Sequence, residues 1–381
     1  MDHSKTLMAG IYLHIPFCKQ ACYYCNFHFS TSLAKKNAMT AAILKEVDLQ
    51  KDYLSGETVQ TIYFGGGTPS LLDAGELQSL LAKLRETFII DEQAEITLEA
   101  NPDDLDTDKL LALRDAGVNR LSIGVQSFHE ADLKWMNRAH NSHQALDCIQ
   151  SAQQLGFRNI TIDLIYGGPT LTDAGWEENV KKAISLGIPH LSCYALTVEP
   201  GTALDQFIKK KKMDPTDPEK AARHFEMLMQ WLEEAGYEHY EISNFALPGW
   251  HSRHNSSYWQ GRPYLGLGPS AHSFNGHSRQ WNIANNTIYL QRITQSEVPF
   301  EIEHLTPAMM FNEYIMTSLR TSAGCNLEWI NTRFGAELGR DLLKNSHEFI
   351  LKGWMVQRGE TLVLTKAGRL FADGIAGDLF I

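Results

Sequence analysis

Across the first two-thirds of the chain the apolar residues recur in two alternating periods. Stretches with a helical period close on a glycine, and short β-branched runs follow or precede them. In one such stretch Leu77, Leu80, Leu81, Leu84 and Phe88 fall at i, i+3, i+4, i+7 and i+11, which makes a single buried stripe. Four stretches end alike, at Asp115-Ala-Gly117-Val, Gln154-Leu-Gly156-Phe, Ser185-Leu-Gly187-Ile and Glu234-Ala-Gly236-Tyr. Each glycine suits the left-handed position that closes a helix before the chain reverses. The apolar runs read as strands over Ile11–Pro16, Thr61–Phe64, Ile96–Leu98, Leu121–Val125, Ile160–Ile165 and Leu191–Leu196. Near-continuous apolar strands alternating with helices predict an α/β fold whose parallel sheet is covered on its outside. A full or partial (β/α) barrel over residues 1–245 accounts for six such units, with an open doubly wound sheet as the alternative.

After Phe245 the pattern changes. Residues 246–300 read as a loop-rich extension, dense in Gly, Pro, Trp, Tyr and His between Pro248 and Pro269. A helical period returns at Met309, Met310, Tyr314, Met316 and Leu319. A hairpin over Trp354–Leu364, turning at Gly359-Glu360, then precedes a last helix starting near Lys366. Residues 301–381 are therefore expected to form a small C-terminal helical, winged-helix-like domain. With 8 Lys/Arg against 10 Asp/Glu in that segment, docking or lid roles suit it better than DNA binding. The whole chain carries 34 basic and 45 acidic residues, a formal charge of −11, so no nucleic-acid partner is expected. The run Lys209–Lys212 reads as a solvated loop. The N-terminus shows no signal-peptide pattern and no apolar stretch is long enough to span a membrane, which predicts a cytoplasmic protein. In that compartment thiols stay reduced. Cys148, Cys193 and Cys325, scattered in apolar context, read as core residues.

The other three cysteines are clustered. In Cys18-Lys-Gln-Ala-Cys22-Tyr-Tyr-Cys25 they follow the first strand, at the end of a barrel strand where sites lie. Three thiolates at this spacing can converge on one soft metal centre but supply one ligand fewer than a closed tetrahedral site needs. A [4Fe–4S] cluster held this way keeps one iron open. A structural zinc site is the alternative, but no second Cys or His pair follows at finger-like spacing. Tyr23 and Tyr24, with Phe17 and Phe27, would shield a cluster from water. One β/α unit later stands Gly65-Gly66-Gly67-Thr68-Pro69, which by itself reads as a tight turn.

These motifs resemble the radical-SAM superfamily. There the open iron chelates the amino and carboxylate groups of S-adenosylmethionine, and an electron from the cluster cleaves it to a 5′-deoxyadenosyl radical. The glycine run looks like the loop that contacts the methionine amino group. The resemblance narrows to the coproporphyrinogen dehydrogenase-like subfamily and covers nearly the whole chain. It implies cofactor contacts at Tyr12, Tyr24, Gly66, Gly67, Thr68, Glu99 (Leu-Glu-Ala-Asn-Pro), Gln126 (Gly-Val-Gln-Ser-Phe), Arg138 (Met-Asn-Arg-Ala-His) and Asp163 (Ile-Asp-Leu-Ile-Tyr-Gly). Ala195 and His272 match backbone or apolar contacts. Independently, polar Glu99, Gln126 and Asp163 at otherwise apolar strands are costly unless paired or bonded to a ligand. The plain alternative is a buried salt bridge, for example between Arg138 and Glu99.

Two functions divide this subfamily. The oxygen-independent coproporphyrinogen III oxidases resemble Cys-x3-Cys-x2-Cys-x-Cys and carry a long extension before it. Here Phe27 stands at the last cysteine's position and 17 residues precede Cys18. The HemW-like haem chaperones share a His-Asn-x-x-Tyr-Trp motif, intact here as His254-Asn255-Ser256-Ser257-Tyr258-Trp259. The resemblance thus implies haem as cargo, a [4Fe–4S] cluster and S-adenosylmethionine as cofactors, haem-accepting proteins as partners and a cellular electron donor. His254 becomes the candidate haem ligand, with Tyr258 and Trp259 against the porphyrin face and His251 as competitor. His14 and His28 read as structural. A binding module that keeps its cluster only as a fold element is the reading from another class.

Overall fold

The computed structural model describes residues 8–381. Six parallel strands lie side by side in chain order: β1 (Met8–Ile15), β2 (Thr58–Gly66), β3 (Ile90–Ala100), β4 (Arg120–Gln126), β5 (Asn159–Tyr166) and β6 (His190–Ala195). Helices α1 (Lys36–Leu49), α2 (Ala74–Thr87), α3 (Thr107–Ala116), α4 (Glu130–Trp135), α5 (Ser142–Gln154) and α6 (Asp173–Ser185) connect them. All six expected strands are present, with ends one to six residues from those of the apolar run that marked each. The stripe of α2 is buried from Leu77 to Leu84, and an Asp73–Glu76 capping box starts the helix. Gly117, Gly156, Gly187 and Gly236 all take positive φ, the left-handed geometry their positions called for.

Strand side chains alternate between two faces. On β1, Ile11, Leu13 and Ile15 join the main apolar core, while Tyr12 and His14 lie on the opposite face. That inner face lines a lumen. The sheet curls without closing, because β1 pairs with β9 (Tyr264–Leu267) and β6 pairs with β8 (Asn244–Ala246) rather than with each other. The fold is a partial barrel. After α7 (Ala203–Lys209) and α8 (Pro218–Glu234), β7 (Glu238–Glu241) and β8 finish one edge as an antiparallel hairpin.

Residues 246–300 differ from the loop-rich expectation. They hold α9 (Arg253–Trp259), α10 (Asn286–Thr294) and the strands β9, β10 (His272–Phe274) and β11 (Ser278–Asn282), after which β12 (Phe300–His304) completes the other edge. Strands of three to five residues are too short to show a period in sequence, and β9 is ordered by pairing with β1, more than two hundred residues away. Glu46 on α1 clamps this wing to the barrel. Its buried carboxylate accepts from Tyr289 Oη (2.6 Å), Asn282 Nδ2 (2.6 Å) and the Gly268 N–H (2.7 Å).

The C-terminal region runs α11 (Pro307–Leu319), β13 (Cys325–Asn326), α12 (Leu327–Phe334), α13 (Ala336–Leu351), β14 (Met355–Arg358), β15 (Thr361–Leu364), α14 (Lys366–Arg369) and α15 (Ala372–Asp378). Helix, strand, two helices and a hairpin give the winged-helix arrangement, around a separate core that includes Phe311, Ile315, Leu342 and Leu362. Arg320 fastens it to the barrel: its guanidinium bonds Glu241 (3.2 Å) and Asp373 (2.5 Å) and lies over the Trp259 ring. Cys148, Cys193 and Cys325 are buried core residues, as expected. No helix among the described residues is long and apolar enough to cross a membrane.

Replacing Glu46 by Ala strands three buried donors and should cost about 3 kcal/mol in equilibrium urea unfolding. A loss below ~1 kcal/mol would show that the wing does not depend on this clamp.

Candidate functional site at the barrel mouth

Where the inner face reaches the C-terminal ends of the strands, a cavity of about 370 Å³ opens. Cys18, Cys22, Cys25 and Tyr24 line it from the loop after β1, Gly66, Gly67 and Thr68 from the end of β2, and Glu99 from β3. Gln126, Asp163 and Ala195 follow from β4, β5 and β6, with Arg138 from the segment after α4. Three of the residues singled out in the sequence lie elsewhere: Tyr12, His254 and His272 are not in the cavity wall.

The chain itself orders the cysteine loop. Lys19 pairs with Asp103 at 2.9 Å and also with Asp104, Gln20 bonds Asn137, and Asn137 Nδ2 donates to the Ala21 carbonyl at 2.8 Å. On the other side the Leu204 N–H donates to the Tyr23 carbonyl, and Tyr23 packs edge-on against Phe207. All three cysteines are free thiols. Burial pushes Cys25 up to about 11 and also raises Cys18, so both keep their protons unless a cation takes the protons' place. Arg138 Nη1 donates to Cys22 Sγ at 3.2 Å. Among the described residues no three His, Cys, Asp or Glu side chains are placed to share one metal ion. A cubane cluster makes a different demand, since each thiolate binds its own iron. Three free, half-buried sulfurs on one cavity wall fit that demand.

The glycine loop is shaped by close approach. A Cβ on Gly67 would stand 2.6 Å from the Phe17 carbonyl oxygen and 2.8 Å from that of Ile15. Only glycine lets β2 end against the start of the cysteine loop. Gly66, with φ 106°, donates its N–H to Glu99 Oε2 at 3.2 Å, and Tyr63 Oη donates to Oε1 at 2.8 Å. Burial lifts the Glu99 carboxyl to about 7, and the negative charge of Asp163 adds to the rise; the Tyr63 and Gly66 bonds and Arg120 oppose it. Burial lifts Asp163 to about 6 against the pull of Arg120 and Arg138. Gln126 stands at φ 67°, a conformation uncommon for a residue with a side chain, where β4 ends.

Arg138 does not form the salt bridge with Glu99 considered from sequence. Its Nη2 donates to Asn101 Oδ1 (2.7 Å) and to the Gly124 carbonyl (2.7 Å), while its buried Nε has no partner. Sequence reading did not single out Asn101, although it stands within the Leu-Glu-Ala-Asn-Pro motif. It also missed Arg120. This side chain is 1% exposed, sits on the same face of β4 as Ser122 and Gly124, and leaves Nε and Nη2 without partners. A cation opening an apolar strand was the available signal.

His254, the candidate haem ligand, lies inside the barrel rather than on its surface. It is 1% exposed and plugs the lower lumen from α9, its ring stacked on Tyr63 with centroids 4.9 Å apart. Nδ1 is 2.8 Å from Thr61 Oγ1, Nε2 is 2.7 Å from Tyr258 Oη, and burial pushes the imidazole down to about 3. Both nitrogens are committed. Tyr258 meets His254 and Tyr264 edge-on, and Trp259 lies under Arg320, so neither forms an open porphyrin platform. Tyr12 stacks on Tyr63 in this same layer, below the cavity. His14 and His28 are structural as expected: His14 Nε2 is 2.9 Å from the His28 carbonyl oxygen, and His28 Nε2 is 2.7 Å from Asn286 Oδ1.

Comparison with known proteins agrees with this geometry. The family model described as the radical SAM superfamily matches residues 12–183, and that of the HemN C-terminal domain matches 305–371. The haem chaperone HemW of Mycobacterium tuberculosis is 33% identical over 375 residues, covering 97% of this chain and 94% of that protein. HemW of Escherichia coli is 40% identical over 268 residues, 69% of each chain. Among solved structures, coproporphyrinogen III oxidase (HemN) from Escherichia coli superposes with a TM-score of 0.85 at 24% identity, covering 98% of this chain and 90% of that one.

Native Glu99 keeps its proton to about pH 7, whereas an unfolded glutamate loses it near ~4.3. The folded state therefore binds more protons between these values, and this group's contribution to stability falls as pH rises through that window. In urea unfolding of the cofactor-free protein, Glu99→Gln should flatten the pH dependence between about pH 5 and about pH 7.5 by ~1–3 kcal/mol. An unchanged slope would place the titration on another group.

Proposed function

The chain belongs to the radical SAM superfamily, in the branch that contains the HemW-type haem chaperones and their HemN relatives, and from that premise we propose that it is itself a haem chaperone. In this reading it binds haem, a [4Fe–4S] cluster and S-adenosylmethionine, and delivers haem to acceptor haemoproteins in the cytoplasm. The observation that carries the reading is the cavity itself. Its one wall holds three free thiols and its other walls hold a glycine loop, the carboxylates of Glu99, Asp163 and Glu199, and an arginine.

Each residue has a part that its chemistry suits. Cys18, Cys22 and Cys25 would each hold one iron and leave the last without a protein ligand. When bound, the cluster and S-adenosylmethionine together supply one-electron reductive cleavage, with the electron coming from a cellular donor. Gly66 and Gly67 let the ligand approach the backbone. Glu99 and Asp163 accept from hydroxyl or ammonium groups, which stabilise the ionised carboxylates that burial disfavours. Arg138 has a free buried Nε to offer a carboxylate. Tyr24, with its hydroxyl 3.5 Å from Arg138 Nη1, closes the site on the cluster side.

The alternative reading is an oxygen-independent coproporphyrinogen III oxidase. Phe27, 68% exposed at the cavity rim, occupies the position of the fourth cysteine in the oxidase pattern and favours the chaperone.

Anaerobic reconstitution should give about four irons per chain and a broad charge-transfer absorption that Cys22→Ala loses. Stoichiometric zinc in place of iron would end the cluster assignment. Haem-loaded protein should transfer haem to an apo-haemoprotein, read as growth of the acceptor's own Soret band. Conversion of added coproporphyrinogen III to protoporphyrinogen, without haem transfer, would establish the oxidase instead.

A further inference from the structure

A buried positive charge is costly without partners, and Arg120 has none for two of its nitrogens. We propose that Arg120 is a positioning residue of the cofactor site: from below the cavity, its guanidinium holds Glu99 and Asp163 ionised to receive S-adenosylmethionine. This role rests on the reading above, in which the cavity takes that cofactor, and it falls to a residue outside the cavity wall.

Strand register sets the heights. Arg120 pairs with Thr97 on β3 and with Asn159 on β5, and the next inward rung joins Glu99, Ser122 and Thr161. Glu99 therefore lies one inward position nearer the mouth than Arg120, and Asp163 lies two nearer. Ser122 and Gly124, on the same face of β4, line the cavity. Arg120 itself is 1% exposed, so its charge sits in the closed lower lumen.

The guanidinium is not spent on its nearest neighbours. Nε and Nη2 make no hydrogen bond, and neither do Thr97 Oγ1 and Asn159 Oδ1, the acceptors that flank Arg120 on its own rung. The titratable groups around it are Tyr63 on β2, Glu95 and Glu99 on β3, Asp163 on β5, His190 on β6, Tyr240 on β7 and His254 on α9. Burial holds both tyrosines protonated. Burial also keeps both histidines neutral, with Arg120 adding to the effect, so neither supplies a second cation. Glu95 already accepts two backbone N–H groups from α9. Glu99 and Asp163 remain.

Both carboxyls feel the guanidinium. Burial lifts each of them, and Arg120 opposes the rise at each; at Asp163 its pull comes ahead of that of Arg138. Arg138 is tied to Asn101, the Gly124 carbonyl and Cys22. In the empty cavity the charge of Arg120 is poorly used. Once a ligand's hydroxyl or ammonium groups favour the ionised carboxylates, Arg120 gains two opposite charges. A neutral residue in its place would leave the repulsion between Glu99 and Asp163 unopposed from below.

The test is the affinity of the cluster-loaded full chain for S-adenosylmethionine, measured by anaerobic equilibrium dialysis from about pH 5.5 to about pH 9. Wild type should lose affinity as pH falls through the range where Glu99 and Asp163 take up protons, about 7 and about 6. Arg120→Met removes the opposing charge, so the midpoint of this loss should move up by about one pH unit or more, with affinity within about threefold of wild type at the alkaline end. Arg120→Lys keeps the charge and should restore the wild-type midpoint. In Asp163→Asn protein, which lacks one negative charge, adding Arg120→Met should still raise the midpoint set by Glu99. That pair decides the question if circular dichroism shows the single Arg120→Met variant unfolded. An unmoved midpoint, or a loss of affinity equal at every pH, would make Arg120 a packing residue and overturn the assignment while the cofactor reading stands. If wild type binds no S-adenosylmethionine at any pH, that reading fails and the assignment fails with it.

Discussion

A sheet that curls without closing leaves a lumen to be filled, and the way this chain fills it governs the rest of the molecule. Helix α9 pushes His254 between the strands from below, where it stacks on Tyr63 and meets Thr61 on β2. Two backbone N–H groups at the start of that helix donate to Glu95 on β3, so the plug is bonded to the barrel wall as well as packed into it. With the floor closed, the lumen opens upward, towards the cysteine loop. The His-Asn-x-x-Tyr-Trp motif thereby holds three parts of the architecture together. Its histidine fills the barrel, its tyrosine satisfies the histidine, and its tryptophan receives Arg320 from the C-terminal region.

Above the plug the lumen is polar, and its charges decide what the cavity favours. Arg120 is buried with two nitrogens unpartnered, while Glu99 and Asp163 are half-buried above it, with desolvation lifting their carboxyls to about 7 and about 6. Burial disfavours each of these charges singly, and the opposite charges of the others partly offset that cost. A ligand that brings hydroxyl or ammonium groups would shift both carboxylates towards ionisation. Polar strand residues that weaken the empty protein therefore become binding groups when the cavity is filled.

What was legible in the sequence follows from the range of the forces involved. The strands β1 to β6, the stripe of α2 and the four left-handed glycines are set by local periodicity and backbone preference, and all stand where the pattern put them. The three cysteines and the glycine loop were legible because close spacing leaves few geometries open. The wing was not, since its strands are too short to show a period, β9 is ordered by pairing with distant β1, and Glu46 holds Gly268 and Asn282 from α1. The placement of His254 was not legible for a related reason: a histidine beside aromatic residues has the same composition whether it ligates iron or plugs a core. Only the distances from Thr61 and Tyr258 separate the two.

Taken together, the fold places a three-thiol loop over a carboxylate-lined cavity. The central claim is that the cluster has one iron that the protein leaves free for S-adenosylmethionine. Mössbauer spectroscopy of protein reconstituted with isotopically enriched iron tests this directly. The account predicts one iron site distinct from the others, whose isomer shift moves when S-adenosylmethionine is added. A spectrum with all irons equivalent and indifferent to S-adenosylmethionine would contradict it.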